Sequence, residues 1–349
     1  MKAKALVFLA AVLLSNPALA QSRSGRPKTK PNTSQSVVRD VVVRARPIRT
    51  FHKDGVARPR IGKLRWRGGL VLSAADKEFG GFSGIAMFGD GRSFIAVSDA
   101  GTWLTAKLIY DERRPVRIEK ARMGPLKALK NLPLRRPRDR DAEAVRIATG
   151  TVAKGVALIS FERNQRIGVF PVSGGAIGGP IRYLRPARRL PANKGLEAIA
   201  LLPSKRKSRD LVAFAERALD PNGHHRGWFW TASKGRPKAL ALTNPEGFDI
   251  TDAAGLPDGS LLLLERRFRW SEGVKMRIRQ VPAKLVRSGR VLSGRTLIRA
   301  DLRYQIDNME GLAVHVDKRG RSILTIISDD NFNSFLQRTV LLQFEMLAD

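Results

Sequence analysis

The chain has 349 residues, with 64 Lys or Arg against 31 Asp or Glu, a formal charge of +33, and no cysteine. An apolar content of 43% excludes wholesale disorder, and the lack of cysteine excludes disulfides, thiolate metal sites and cysteine nucleophiles. Only four histidines are present, too few to favour a histidine-rich metal site. The charge demands an anionic neighbour: a polymer, a lipid headgroup surface or a phosphorylated substrate.

The first segment reads as an address. Lys2 and Lys4 precede an apolar run over 5–14, and Ala18-Leu19-Ala20 fits a small-residue cleavage site. Residues 1–20 are therefore expected to be a signal peptide, with export to the periplasm or beyond. No later segment approaches the ~20 apolar residues of a membrane helix. Residues 21–50 hold eight basic residues and one acid, and their first part is rich in Ser, Thr, Pro and Asn. This segment reads as a basic, largely disordered tail, and 51–349 as the folded domain.

From about residue 60 onward, short apolar runs such as VALISF, LVAFA, SLLLL and ILTIIS are divided by Gly, Pro, Asp and Asn. Length and punctuation argue strands. The stretch 113–140, with eleven basic residues and four prolines, reads as an irregular insertion with a short helix near 126–130. KRKSR at 205–209 reads as a solvated hairpin tip, and His224-His225 as part of a loop. Trp228 and Trp230 alternate along one strand, a spacing that suits packing.

Five segments share one layout: 82–101, 142–163, 196–217, 250–267 and 309–330. Each has a small-residue strand, a polar turn and a second apolar strand ending in an acid. One slot opens the first strand (Ser83, Glu143, Glu197, Thr251, Glu310), at spacings of 54 to 60 residues. The other closes the second strand (Asp99, Glu162, Glu216, Glu265, Asp329). Strand hairpins repeating at this period predict an all-β fold, a single β-propeller. Five repeats plus an N-terminal blade near 61–72 suggest six blades, with five as the alternative count. In an antiparallel hairpin the start of the first strand and the end of the second share one end, so both slots should ring one mouth of the channel.

A ring of carboxylates suits a hard cation such as Ca2+. The candidate metal ligands are Asp99, Glu143, Glu162, Glu216, Glu265, Asp329 and Asp330. Glu197 and Glu310 are candidate catalytic groups, and Arg163, Arg217 and Arg266 are candidate clamps for an anionic substrate. Signatures of a nucleophile elbow, a P-loop or a zinc protease helix are absent. The competing bland reading makes these acids structural partners of nearby arginines.

The stretches LRWRGGLVLSAADKEFGGFSGIAM and VSDAGTW near the start, and DNMEGLAVHVDKRGRSILTIISDDNFNSFLQRTVLLQFEML at the end, resemble the bacterial phytase-like family, "esterase-like activity of phytase". GLEAIA and FAER extend the resemblance through the middle, so that it covers roughly 60–347. It implies an exported propeller acting on esters or phosphoesters, with acidic motif positions at Asp99, Glu143, Glu197, Glu310, Asp329 and Asp330. Phytase propellers bind calcium through carboxylates and phosphate through basic residues. The high arginine content departs from the family pattern.

Two functions follow as expectations. One is an exported, monomeric, metal-assisted hydrolase of an anionic small-molecule or polymeric substrate. The alternative is a non-enzymatic envelope protein whose basic exterior binds anionic polymers or surfaces. Specific nucleic-acid reading is not expected, since no such motif is present.

Overall fold

Five sheets, antiparallel save for the short parallel pairing of Lys238–Leu242 with Val291–Leu292, succeed one another along the chain in the computed structural model, which describes residues 37–186, 190, 195–204, 208–231, 236–287 and 289–347. The signal peptide expected over 1–20, and the tail up to residue 36, lie outside the described residues, as do 205–207 of the KRKSR cluster. The first three strands of each blade run outward from the axis in chain order. They are Phe82–Met87, Ser93–Ser98 and Thr102–Asp111 in the first blade, and Ala142–Gly150, Lys154–Phe161 and Arg166–Ser173 in the second. The third has Leu196–Pro203, Arg209–Leu219 and His225–Trp230, and the fourth has Asp249–Gly255, Leu261–Arg269 and Gly273–Val281. The fifth has Met309–Val316, Ser322–Ser328 and Thr339–Met346.

The blade count is five. The segment expected to found a sixth blade forms Leu64–Ala74, which pairs antiparallel with Thr339–Met346 and so becomes the fourth strand of the fifth blade. The ring is thus closed by strands from the two ends of the propeller. Strands also begin earlier than the 21–50 tail reading allowed: Val43–Ile48 pairs with Leu64–Ala74, and Arg39–Asp40 with the outer strand of the first blade. The reason is alternation. Val43 and Ala45 pack toward the core while Arg44 and Arg46 face solvent, which is strand patterning despite the charge. Likewise, the first part of the expected insertion at 113–140 is strand Arg114–Pro125, the fourth of the first blade, with Ile118, Ala121 and Met123 turned inward. The helical pieces are the short turns Leu129–Asn131 and Pro137–Arg140.

The core is divided like the ring. Five apolar clusters lie one at each junction between neighbouring blades; Val97 and Trp103, for instance, meet Phe161 and Phe170 between the first and second. Blade strands are therefore covered on both faces, which explains their near-continuous apolar runs. Trp228 and Trp230 belong to the junction of the second and third blades. His225 is not in a loop. It opens a strand, fully buried, with Nε2 3.0 Å from the Phe248 carbonyl.

The inner strands converge tightly. A β-carbon on Gly84 would stand 2.6 Å from the Glu143 carbonyl oxygen, so only glycine fits. Beside the axis, buried Arg146 of the second blade reaches across to the fourth, where it forms an ion pair with buried Asp252 and donates to the Ala253 carbonyl at 2.9 Å. It also donates to Ile85 of the first blade at 3.1 Å, while Asp252 accepts from Leu312 N of the fifth at 2.7 Å. This tie joins four blades across the channel.

Candidate functional site

The mouth geometry comes from one irregularity repeated in every blade. The ladder between the first and second strands shifts register at the opening slot: at Ser83, at Glu143–Ala144, at Glu197, at Thr251 and at Glu310. A bulge re-aims the extra residue's side chain. Here it sends Ser83, Glu143, Glu197 and Glu310 to the mouth, while Thr251 of the fourth blade turns to the Met309 carbonyl. The second slot lies at the end of the ladder, opposite the residue two before the bulge. Asp99 N donates to Gly81, Glu162 N to Asp141, Glu216 N to Gly195 and Asp329 N to Asn308.

The fourth blade departs from this pattern. Its residue opposite Asp249, two before Thr251, is Arg266, whereas Glu265 pairs with Ile250. Glu265 is therefore one residue out of register with the other acids and faces the opposite side of its sheet. There it is fully buried and accepts from Arg277 Nε at 2.7 Å, Arg279 Nε at 2.8 Å and Arg279 Nη2 at 2.5 Å. Arg266 takes the mouth position instead.

A cavity of about 200 Å³ results, lined by Ser83, Asp99, Asp141, Glu143, Glu162, Arg163, Glu197, Glu216, Arg266, Glu310 and Asp329. Of the residues singled out from sequence, Glu265, Asp330 and Arg217 are not part of this lining. Asp330 accepts from Gly81 N at 2.9 Å, Phe332 N at 3.1 Å and Thr339 Oγ1 at 2.9 Å, so it braces loops. Arg217 holds Asp249 at 2.7 Å and lies 3.7 Å from Glu216. Asp141 was not anticipated. Its only sequence signal is its place two residues before Glu143, where the other repeats carry Gly81, Gly195, Asp249 and Asn308.

Among the described residues, two cations line the mouth, Arg163 and Arg266. Arg163 Nε is 2.7 Å from Asp141 Oδ2. Arg266 Nη2 lies 3.3 Å from Glu310 and 3.7 Å from Glu216, and its Nη1 donates to Asn308. The carboxylates respond. Burial, then repulsion from Asp141 and Asp99, pushes Glu143 well above the ordinary value, and burial with repulsion from Glu143 does the same to Glu197. Burial, reinforced by Asp141, raises Glu162 to about 7. Burial also raises Glu310 to about 7 although Arg266 opposes it, and Asp329 to about 8. Glu216 is raised by burial against the pull of Arg217 and Arg266. Crowded acids of this kind share protons or take a cation.

Asp141, Glu143 and Glu162 each offer a carboxylate oxygen within 4.8 Å of the others. These are hard oxygen donors at the mutual spacing that ligands of one Ca2+-sized ion adopt, so the donor set fits such an ion.

A five-bladed propeller with a bulge-built acidic mouth defines the class. The family model for Phytase-like, esterase-like activity of phytase, matches residues 77–332, and the chain belongs to that family. No curated protein matches the sequence. Similar solved structures include Kuenenia stuttgartiensis hydrazine synthase, at 12% identity and a TM-score of 0.37 over 76% of this chain and 72% of that one. The endo-arabinase from Bacteroides thetaiotaomicron matches at 13% and 0.49, over 78% and 96% of the two chains. The Dos1 propeller matches at 6% and 0.37, over 83% and 76%. None of these likenesses bears on chemistry. Among the described residues no helix is long and apolar enough to cross a membrane.

Proposed function

We propose that the protein is an exported, metal-assisted hydrolase of ester or phosphoester bonds, working in the mouth cavity as a monomer. The observation that carries this reading is the convergence, among the described residues, of eight carboxylates from four blades on one cavity, beside the lining cations Arg163 and Arg266. Asp141, Glu143 and Glu162 would hold the ion, with Ca2+ the first candidate. Such an ion, when bound, polarises an ester or phosphoryl oxygen and acidifies a water.

The chain's own groups do the rest. Arg266, set between Glu216 and Glu310, and Arg163 orient an anionic group of the substrate. Glu310, near 7, is poised to take a proton from the attacking water at neutral pH. Glu197, held protonated by burial and by Glu143, donates its proton to the leaving oxygen as the ester C–O or P–O bond breaks. Export rests on the signal-like segment 1–20.

The test is turnover of a panel of chromogenic esters and phosphoesters by metal-stripped and Ca2+-loaded protein, beside Glu310→Gln. Activity restored by Ca2+ and lost in the variant is expected. No turnover across the panel with the ion bound would count against the reading. The alternative, a polyanion-binding envelope protein, rests on the +33 charge. It expects salt-sensitive binding that survives Glu143→Gln.

A further inference from the structure

Second strands end and third strands begin at the mouth, so the loops joining them stand on the same face as the acidic cavity. In the fourth and fifth blades these loops carry apolar side chains into solvent. Trp270, at the tip between Leu261–Arg269 and Gly273–Val281, is 94% exposed. Phe335 and Leu336, in the loop before Thr339–Met346, are 93% and 73% exposed. These loops form one continuous rim. Phe268 packs edge-on against Trp270 at 5.3 Å, Gly273 lies against exposed Leu302, and the segment after Leu302 meets the fifth-blade loop through Arg338 and Asp307 at 3.5 Å. At its far end Phe332 lies against Gly81, which in turn borders the Asp99 carboxylate. A β-carbon on Gly81, at φ +63°, would collide with both. The rim therefore reaches the edge of the cavity.

At these tips Trp270 and Phe335 bury almost nothing in the folded chain. They are shaped to enter another phase, and Trp, Phe and Leu beside cations suit the boundary between headgroups and acyl chains. The charge beside them is positive. Arg267, Arg269 and Lys275 gather about Glu272, with Glu246 facing Arg267 and Asp301 facing Lys275. On the other side of the mouth, the connection over 126–141 exposes Lys130, Arg135, Arg136 and Arg138.

We propose that this mouth face docks on an anionic lipid surface, inserting the tips of Trp270, Phe335 and Leu336 and presenting the acidic cavity to the headgroup layer. The experiment reads binding and not turnover, so its outcome and that of the hydrolase reading are separable. The full chain is floated with phosphatidylcholine vesicles with and without phosphatidylglycerol, while tryptophan emission is followed. Co-flotation only with the anionic vesicles, and a blue shift quenched by brominated lipid, are expected. Combined Trp270→Ser, Phe335→Ser and Leu336→Ser should lower partitioning roughly tenfold or more, with the thermal melt unchanged. Quenching in the unsubstituted chain keeps the test decisive even if that variant misfolds. Equal flotation of the variant, which means adsorption by charge alone, would overturn the proposal. So would an absence of quenching, or self-association through the rim without vesicle binding.

Discussion

The fourth blade and its four neighbours run the same repeat to different ends. In the first, second, third and fifth blades the second strand ends in an acid that faces the mouth. In the fourth the acid arrives one residue early, turns to the other face of the sheet and is held there by two arginines, while Arg266 takes the mouth position. The bulge residue follows suit: Thr251 donates to the Met309 carbonyl at 3.2 Å where Glu143, Glu197 and Glu310 line the cavity. Whether a carboxylate is structural or available for chemistry is thus decided by register. Arg277 stands directly across the ladder from Glu265 and no arginine stands so placed beside Asp99, Glu216 or Asp329.

The largest effect expected from this contrast is on stability. Glu265→Ala leaves Arg277 and Arg279 buried without their shared partner and should cost about 3–5 kcal/mol in denaturant unfolding, with Ca2+ affinity by calorimetry unchanged. A change in affinity would place Glu265 in the mouth after all. Next, Glu310→Gln should reduce turnover about 100-fold while the melt stays within a few degrees, since an amide keeps the shape and loses the proton. Glu143→Gln should do the reverse of Glu265→Ala: a chelator-treated melt equal to or above that of the parent, because one repelling charge is gone, with roughly tenfold weaker Ca2+ binding.

The pH dependence follows from the same carboxylates. Glu162, Glu310 and Asp329 hold their protons up to about 7, 7 and 8, so the native chain keeps protons that the unfolded chain has already released. Their contribution to stability is full below about pH 4 and drains away as pH rises through 7 to 8. With chelator present the melting temperature should drop by roughly 4 °C or more between pH 5 and pH 8. Saturating Ca2+ should flatten that slope, and a chelator-treated melt that rises with pH would contradict the crowding. Smallest is Arg163→Ala. Its half-exposed pair with Asp141 is worth under about 1 kcal/mol, so the change should appear in KM for an anionic substrate and hardly at all in the melt.

Much of this was legible in the sequence because the repeat is written in side-chain chemistry. Acids at fixed places in a basic chain marked the propeller, its mouth and most of the cavity lining. What stayed hidden depended on register. The run LLLLERR offers two adjacent positions for an acid, and only the observed pairing of Asp249 with Arg266 shows which one faces the mouth. Asp141 was obscured because its equivalents in three of the other repeats are uncharged. The count of blades turned on a long-range pairing, Leu64–Ala74 with Thr339–Met346, which local patterning does not encode. Strand Arg114–Pro125 was masked by prolines and arginines that an outer strand tolerates at its solvent edge.

That closing pair sets the order in which the molecule can be made. Leu64–Ala74 emerges from the ribosome early, and its partner Thr339–Met346 emerges only after all the intervening blades. Until then one edge of an apolar strand has no neighbour to pair with, and the fifth blade exists only in part. Closure of the ring therefore waits on the synthesis of Thr339–Met346, and the loop-closure cost of this long-range pairing is met only then. Over that interval the unpaired strand edge is open to other chains, and loss of Thr339–Met346 alone would leave the first strands of every blade translated yet the ring open.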